Sequence, residues 1–202
     1  MSMIIRIELI NLNNNFNNTM NYYMMITIHA FMMIFFMTMP IIIGMFSNWL
    51  IPMMISSIDL IYPRLNNMSF WMLFPSLMIM ILSMFINNKI YTGWTLYPPL
   101  SIQNLISINL IIFSLHLNGI SSISSSMNFI MSMMNLNLNK FKLINLTLFC
   151  WSIMFTSMML IMSIPVLASS ITMIILDQNF NSMFFNPMGN GNPIIFQHLF
   201  WF

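Results

Sequence analysis

The stretch 26–52 constrains the fold most, because it runs for 27 residues without a charged side chain. A helix needs about 20 apolar residues to cross a bilayer, so this stretch is long enough to span one. It also contains His29, a polar group that is costly to bury in a membrane without a partner. We therefore expect His29 either to face a polar group inside a helix bundle or to bind a ligand.

The composition of the whole chain supports a membrane location. Hydrophobic residues make up 59% of the 202 residues and charged residues 4%, whereas soluble domains contain about 25% charged residues. The mean hydropathy is +0.85. These values predict an integral membrane protein in contact with the lipid bilayer, and a net charge of +2 gives no reason to expect a nucleic-acid partner.

Apolar segments separated by polar loops predict an all-α fold, a polytopic transmembrane bundle of about six helices. The predicted helices cover roughly residues 1–10, 19–55, 65–86, 105–134 and 146–176, and a sixth begins near residue 194. Because the first and the last are short, we expect the chain to be a fragment cut inside a helix at both ends. Pro40 is expected to kink the second helix.

Basic residues in short loops predict the orientation, since they favour the cytoplasmic or matrix side. One face of the bundle carries three of them in its loops: Arg64, Lys140 and Lys142. The opposite face carries Lys89, apart from Arg6 at the end of the first helix. The first face is therefore the predicted inner side. His29 then lies in the outer half of the membrane, on the side of the loop that carries Trp94.

Three histidines are candidates for a buried site, namely His29, His116 and His198. For His29, the residues alone leave open a metal or haem role and a hydrogen bond between helices. For His116 and His198, the residues favour a hydrogen-bonded histidine of the bundle. No two of the three have the short spacing of paired metal ligands on one helix.

A set of polar residues is predicted to form a column that rises from the inner face toward mid-membrane. Its members are Asp59, Asn48, Asn66, Asn128, Ser121 and Ser122. Such a column orders water and can pass protons. The alternative is that Asp59 is an ordinary solvated loop acid paired with Arg64, and the residues alone favour this alternative.

Other chemistries lack support in the sequence. Glu8, Asp59 and Asp177 are too scattered to form a carboxylate pair, and no hydrolytic triad is apparent. The run NPMGNGNP at residues 186–193 follows no predicted strand, so it predicts a turn and not a phosphate-binding loop.

Seven long segments carry a resemblance to a known family. In chain order they are ITIHAFMMIFFMTMPIIIG, NWLIPMM, YPRLNNMSFW, TGWTLYPPL, IFSLHLNGISS, MSIPVLASSITMIILDQN and NPIIFQHLFWF. They resemble successive parts of cytochrome c oxidase subunit I, the catalytic subunit of the mitochondrial haem-copper oxidases. The resemblance implies that residues 1–202 are a partial transmembrane domain of that subunit, from late in its first helix to the start of its sixth.

The resemblance implies a haem a site. His29 matches an axial ligand of the haem a iron, and Arg6 matches the arginine that hydrogen-bonds the haem formyl group. Tyr22 matches a tyrosine near a haem propionate, and Trp94 matches a tryptophan over the propionates.

The polar column also has a counterpart in the family. Asp59 matches the entrance of the D proton pathway, and five residues match its asparagines and serines: Asn48, Asn66, Asn128, Ser121 and Ser122. Glu8 matches a carboxylate of a peripheral sodium or calcium site, with Asn13 where a backbone ligand would be.

The implied activity is respiratory. Electrons would pass from cytochrome c through the dinuclear copper centre of subunit II to haem a, and then to haem a3 and copper B. Oxygen would be reduced to water there, with protons pumped across the mitochondrial inner membrane. The implied partners are subunits II and III. The family's His-Pro-Glu-Val-Tyr motif is expected after Phe202, so this fragment alone is expected to be inactive.

Several residues depart from the family pattern. Met45 and Ser47 replace glycines, Ile58 replaces a proline, and Asn186 and Asn192 replace aspartates. The departures fit a fast-evolving mitochondrial gene or a decayed nuclear copy. Two other hypotheses stay open: a haem-free proton or ion carrier with His29 and Asp59 as relay groups, and a structural bundle with packing histidines.

Overall fold

The fold is known from a computed structural model that describes residues 1–10, 16–86, 90–103, 106–135 and 146–201. Every regular element in these ranges is helical: α1 (Ser2–Ile10), α2 (Phe16–Phe31), α3 (Ser47–Ile55), α4 (Pro63–Phe85), α5 (Ile106–Asn135), α6 (Leu148–Asn179) and α7 (Pro193–Phe200). Two π-helical segments, Met32–Thr38 and Pro40–Phe46, join α2 to α3. The described residues thus form six helical rods. The predicted all-α bundle is confirmed, with boundaries within about three residues of those predicted.

Four stretches are long and apolar enough to cross a membrane: Met20–Ile55, Pro63–Phe85, Ile106–Asn135 and Leu148–Asn179. Many of their large apolar side chains are exposed, for example Trp49, Trp71 and Met162. Exposed apolar surface of this extent is suited to lipid and to neighbouring membrane helices. The chain is an integral membrane protein. The loop residues Lys89, Lys140 and Lys142, on which the predicted orientation depends, lie outside the described residues.

The helices α4 and α5 pack antiparallel along a line of buried serines, which we call the serine ladder. It consists of Ser69, Ser76 and Ser83 of α4 and Ser107, Ser114 and Ser121 of α5. The Ser114 hydroxyl donates to the Ser76 carbonyl at 2.7 Å, and the Ser121 hydroxyl donates to the Ser69 carbonyl at 2.6 Å. A seven-residue spacing keeps the serines on one helix face, and their small size lets the two backbones approach closely.

Two buried apolar clusters lie at opposite ends of the bundle. One joins the start of the long second rod to the segments before α5 and around α7, and includes Ile28, Leu96 and Phe196. The other joins α3 to the end of α5 and the start of α6, and includes Ile51 and Phe129. We call these the His29 end and the Asp59 end.

Pro40 is accommodated by a change of helical register. The Met39 N–H bonds to the Ile34 carbonyl, five residues back, as in a π-helix. The next bond of that ladder would reach the Phe35 carbonyl, but Pro40 has no N–H. The Asn118 amide of α5 supplies the missing donor, with Nδ2 3.0 Å from the Phe35 oxygen. The helix is thus widened around Pro40, and α5 holds it in place there; the kink expected at Pro40 stays a prediction.

Candidate functional site

A cavity of about 370 Å³ lies between the π-helical segments, α4 and α5. Four residues of the predicted polar column line it: Asn48, Asn66, Ser121 and Ser122. Apolar side chains such as Ile43 and Leu73 complete much of the wall. The cavity is large enough for several water molecules, and its polar groups give them hydrogen-bond partners.

The polar side chains of this cavity keep hydrogen-bonding capacity for water. Asn48 Nδ2 donates to the Gly44 carbonyl at 2.6 Å, while the buried Asn48 Oδ1 has no partner among the described residues. Ser121 and Ser122 each donate to a backbone carbonyl, which leaves lone pairs of both hydroxyl oxygens free to accept. Water donates two hydrogens, so it is a suitable partner for these acceptors.

Asp59 and Asn128, the other two residues of the predicted column, do not line this cavity. Asp59 is exposed on the loop between α3 and α4. Asn128 is fully buried, and both ends of its amide bind one backbone unit. Its Oδ1 accepts from the Tyr62 N–H and its Nδ2 donates to the Tyr62 carbonyl, both at 3.2 Å. Asn128 therefore fastens the Asp59 loop to α5.

His29 lies on α2 at the opposite end and is half-buried. The preceding Ile28 is fully buried in the core. One helical turn to either side of His29, Ile26 and Met33 are 37% and 40% exposed, so the imidazole sits on an open apolar face. Tyr22, seven residues earlier, is half-buried and lies on the same face. A flat apolar ligand with an imidazole-binding metal would suit this face.

Trp94 is held in an aromatic cluster at the His29 end. Its ring lies edge-on to Phe200 and Trp201, with centroid distances of 5.9 and 5.5 Å. The Trp201 indole N–H donates to the Tyr97 hydroxyl at 2.6 Å. Trp94 also packs against the apolar cluster that contains Ile28, so the structure brings the Trp94 segment and the helix of His29 into one core.

The other predicted residues are less enclosed. On α1, Arg6 is exposed and Glu8 is half-buried. Within the described ranges, no three residues of the His, Cys, Asp or Glu types gather as a metal site. Among the described residues, Glu8 therefore has no cluster of such side chains around it, and Asn13 lies outside these residues.

The two remaining histidines differ in their surroundings. His198 is exposed on α7. His116 is half-buried on α5, with Nδ1 2.8 Å from the Ile112 carbonyl and Nε2 buried without a partner among the described residues. The bond to its own helix accounts for one ring nitrogen of His116 and leaves the other unexplained.

Sequence reasoning missed Asp177 at the end of α6. It is 4% exposed. Its two carboxylate oxygens accept from the Ser182 hydroxyl and from the backbone N–H groups of Phe184 and Phe185. A buried acid that binds backbone N–H groups just after its own helix fixes the turn that leads to α7. In the sequence, an acid at the end of a predicted helix followed by polar residues could have indicated this turn-forming role.

Comparison with known proteins gives a family over the whole chain. The family described as cytochrome c and quinol oxidase polypeptide I matches residues 1–202. Cytochrome c oxidase subunit 1 of Pecten maximus is 49% identical over 185 residues, which is 90% of this chain and 39% of the relative. The subunits named cytochrome c oxidase subunit 1 from Eremothecium gossypii and Yarrowia lipolytica are 45% and 44% identical over 100% of this chain.

The chain spans 38–39% of the length of these curated relatives. The family match covers every residue of the chain, and the identities are too high for a likeness of fold alone. The chain therefore belongs to the cytochrome c and quinol oxidase polypeptide I family.

Proposed function

We propose that this chain is part of the catalytic subunit of a mitochondrial cytochrome c oxidase, an oxidoreductase that couples oxygen reduction to proton pumping. The observation that carries the proposal is the family match over all of residues 1–202. The four apolar helices suit a multi-pass protein of the mitochondrial inner membrane. The proposed partners are subunits II and III, with cytochrome c as the electron donor through subunit II.

His29 is the proposed axial ligand of haem a. The fit to this group is chemical: the imidazole offers a ring nitrogen as a metal ligand on a face flanked by the apolar side chains of Ile26 and Met33. A bound haem supplies one-electron redox chemistry. Arg6, Tyr22 and Trp94 are the proposed polar and aromatic partners at its edge. Haem a3 and copper B would be held by residues of the full-length subunit beyond this chain.

The 370 Å³ cavity is the proposed inner part of the D proton pathway. Its polar groups on Asn48, Ser121 and Ser122 would hold water in a bundle whose other walls are apolar. Asp59 is exposed on the loop between α3 and α4; with that loop on the predicted inner side, Asp59 would collect protons from the aqueous phase. Asn128 would act on this path by fixing the Asp59 loop, since its amide binds the backbone of Tyr62.

Replacing the proposed haem ligand tests the electron-transfer assignment. In the assembled oxidase with a full-length subunit, His29→Ala should abolish the reduced haem a absorption band while the other subunits still co-purify. The matched control is His198→Ala, because His198 is exposed on α7; its band should stay at the wild-type level. A normal band in His29→Ala would reject the ligand assignment and favour the haem-free carrier.

Replacing the acid tests the proton-path assignment. Asp59→Asn keeps the size of the side chain but removes its charge and its ability to bind and release a proton. We expect slower turnover and slower proton uptake with normal haem content. Proton uptake at the wild-type rate would return Asp59 to the role of a solvated loop acid.

A further inference from the structure

A second cavity, of about 90 Å³, lies between the first π-helical segment, α5 and α6. Most of its wall is apolar, but His116, Asn118 and Ser122 also line it. Met39, Asn118 and Ser122 line the 370 Å³ cavity as well. These three side chains therefore form the partition between the two spaces.

Two buried atoms without a hydrogen-bond partner among the described residues lie at this second cavity. The Ile112 carbonyl can only accept, so the His116 Nδ1 beside it carries a proton. In an imidazole with a single ring proton, Nε2 is then an acceptor. Asn118 is 2% exposed, and its Nδ2 is fixed by the bond to the Phe35 carbonyl. That bond sets the amide orientation and leaves Asn118 Oδ1 unpaired. His116 Nε2 and Asn118 Oδ1 are both buried without a partner among the described residues.

Buried acceptors without donors are costly, and water is the ligand that supplies donors in an internal space. A volume of 90 Å³ is several times the roughly 10–15 Å³ that an internal space needs to hold one water, so it accommodates two or three waters. His116 and Asn118 are two positions apart on α5, so their side chains lie at opposite edges of the helix face that borders the cavity. One water therefore does not span them, whereas a short chain of waters does.

We propose that the 90 Å³ cavity holds a chain of two or three ordered waters that ends on His116 Nε2 and begins on Asn118 Oδ1. Asn118 then has two roles. Its Nδ2 donates to the carbonyl that Pro40 leaves without a donor, and its Oδ1 accepts from the water that links the larger cavity to the smaller one. The His116 Nε2 thereby has internal water as its hydrogen-bond partner. This inference rests on the cavities and their unpaired acceptors, and it does not depend on the haem assignment to His29.

The test uses the assembled oxidase with the full-length subunit. A cryo-electron microscopy map that resolves waters in the 370 Å³ cavity should also show density between Asn118 and His116. Infrared spectra in H₂¹⁸O should contain a shifted water O–H stretching band that is lost in both Asn118→Leu and His116→Phe. Ser132→Ala is the control, since Ser132 is buried on the same helix and donates only to its own turn; it should keep the band.

Two results would overturn the proposal. One is an empty small cavity in a map that shows water in the larger one. The other is an isotope-sensitive band that is unchanged in both variants. His116→Phe keeps the bond from Asn118 to Phe35, so it tests the water chain even if Asn118→Leu fails to assemble.

Discussion

The small side chains of the serine ladder set the separation between α4 and α5, and Ser114 is the middle residue of the ladder on α5. Ser114 is 0% exposed, and its hydroxyl donates to the Ser76 carbonyl at 2.7 Å. The adjacent pair, Ser121 and Ser69, lies one heptad away and borders the 370 Å³ cavity. A larger side chain at Ser114 would therefore force the helices apart beside that cavity.

The two substitutions Ser114→Ala and Ser114→Leu separate the hydrogen bond from the helix spacing. Alanine removes one interhelical bond, which in membrane proteins costs about 0.6 kcal/mol. Leucine removes the same bond and adds overpacking, which costs about 1–3 kcal/mol in a close-packed interior. We expect a loss of stability of about 0.6 kcal/mol for alanine and about 2–4 kcal/mol for leucine.

The assay is SDS titration of the full-length subunit in mixed micelles, read as the free energy of unfolding. Ser152→Leu is the matched control, because Ser152 is exposed on α6 and its hydroxyl bonds within its own turn. That variant should stay within about 0.5 kcal/mol of the wild type. If Ser114→Leu were as stable as Ser152→Leu, the ladder would not set the separation of α4 and α5.

Two further predictions concern the asparagines of α5. Asn128→Leu should speed amide exchange at Tyr62 by about 10-fold or more, because losing a bond of about 1–2 kcal/mol makes local opening of the loop more frequent by that order. Hydrogen–deuterium exchange of the loop checks this. Unchanged exchange in the assembled protein would contradict it. Asn118→Leu should destabilise the subunit, and adding Pro40→Ala should restore part of the lost stability, since alanine supplies an N–H for the carbonyl of Phe35. Thermal unfolding of the double variant measures this rescue. Strictly additive losses of stability would argue that Asn118 does not replace the missing N–H of Pro40.

The helices were predictable because the membrane imposes their length. An apolar run of 20 residues or more has few alternatives to a helix in lipid, since every backbone group must be satisfied internally. The convergence of Asn48, Asn66 and the serine pair on one cavity was also open to prediction. Polar side chains in an apolar bundle collect where they can share partners and water, so similar depth is a guide to proximity.

The roles of Asn118 and Asn128 were not open to the same reasoning. Asn128 binds the backbone of Tyr62, and Asn118 binds a carbonyl that is free because of Pro40 and the π register. Both partners are backbone groups far away in sequence, and side-chain identity does not reveal them. The departure at Met45 is explained by its position, since its side chain is 62% exposed and does not enter a close helix contact.

The rod from Met20 to Ile55 joins the proposed haem ligand to the proposed proton cavity, and its central register decides how the two are related. Bonds that span five residues make each turn larger than an α-turn, so the π-helical segments rotate the face of Asn48 relative to that of His29. A 3.6-residue count along the sequence misplaces this relation. Asn118 binds the rod at the point where Pro40 interrupts its ladder, and the same residue borders both cavities. Asn118 therefore holds the π-helical register of the rod and also forms part of the partition between the two cavities. A substitution at Asn118 should alter the helix geometry and the internal hydration together.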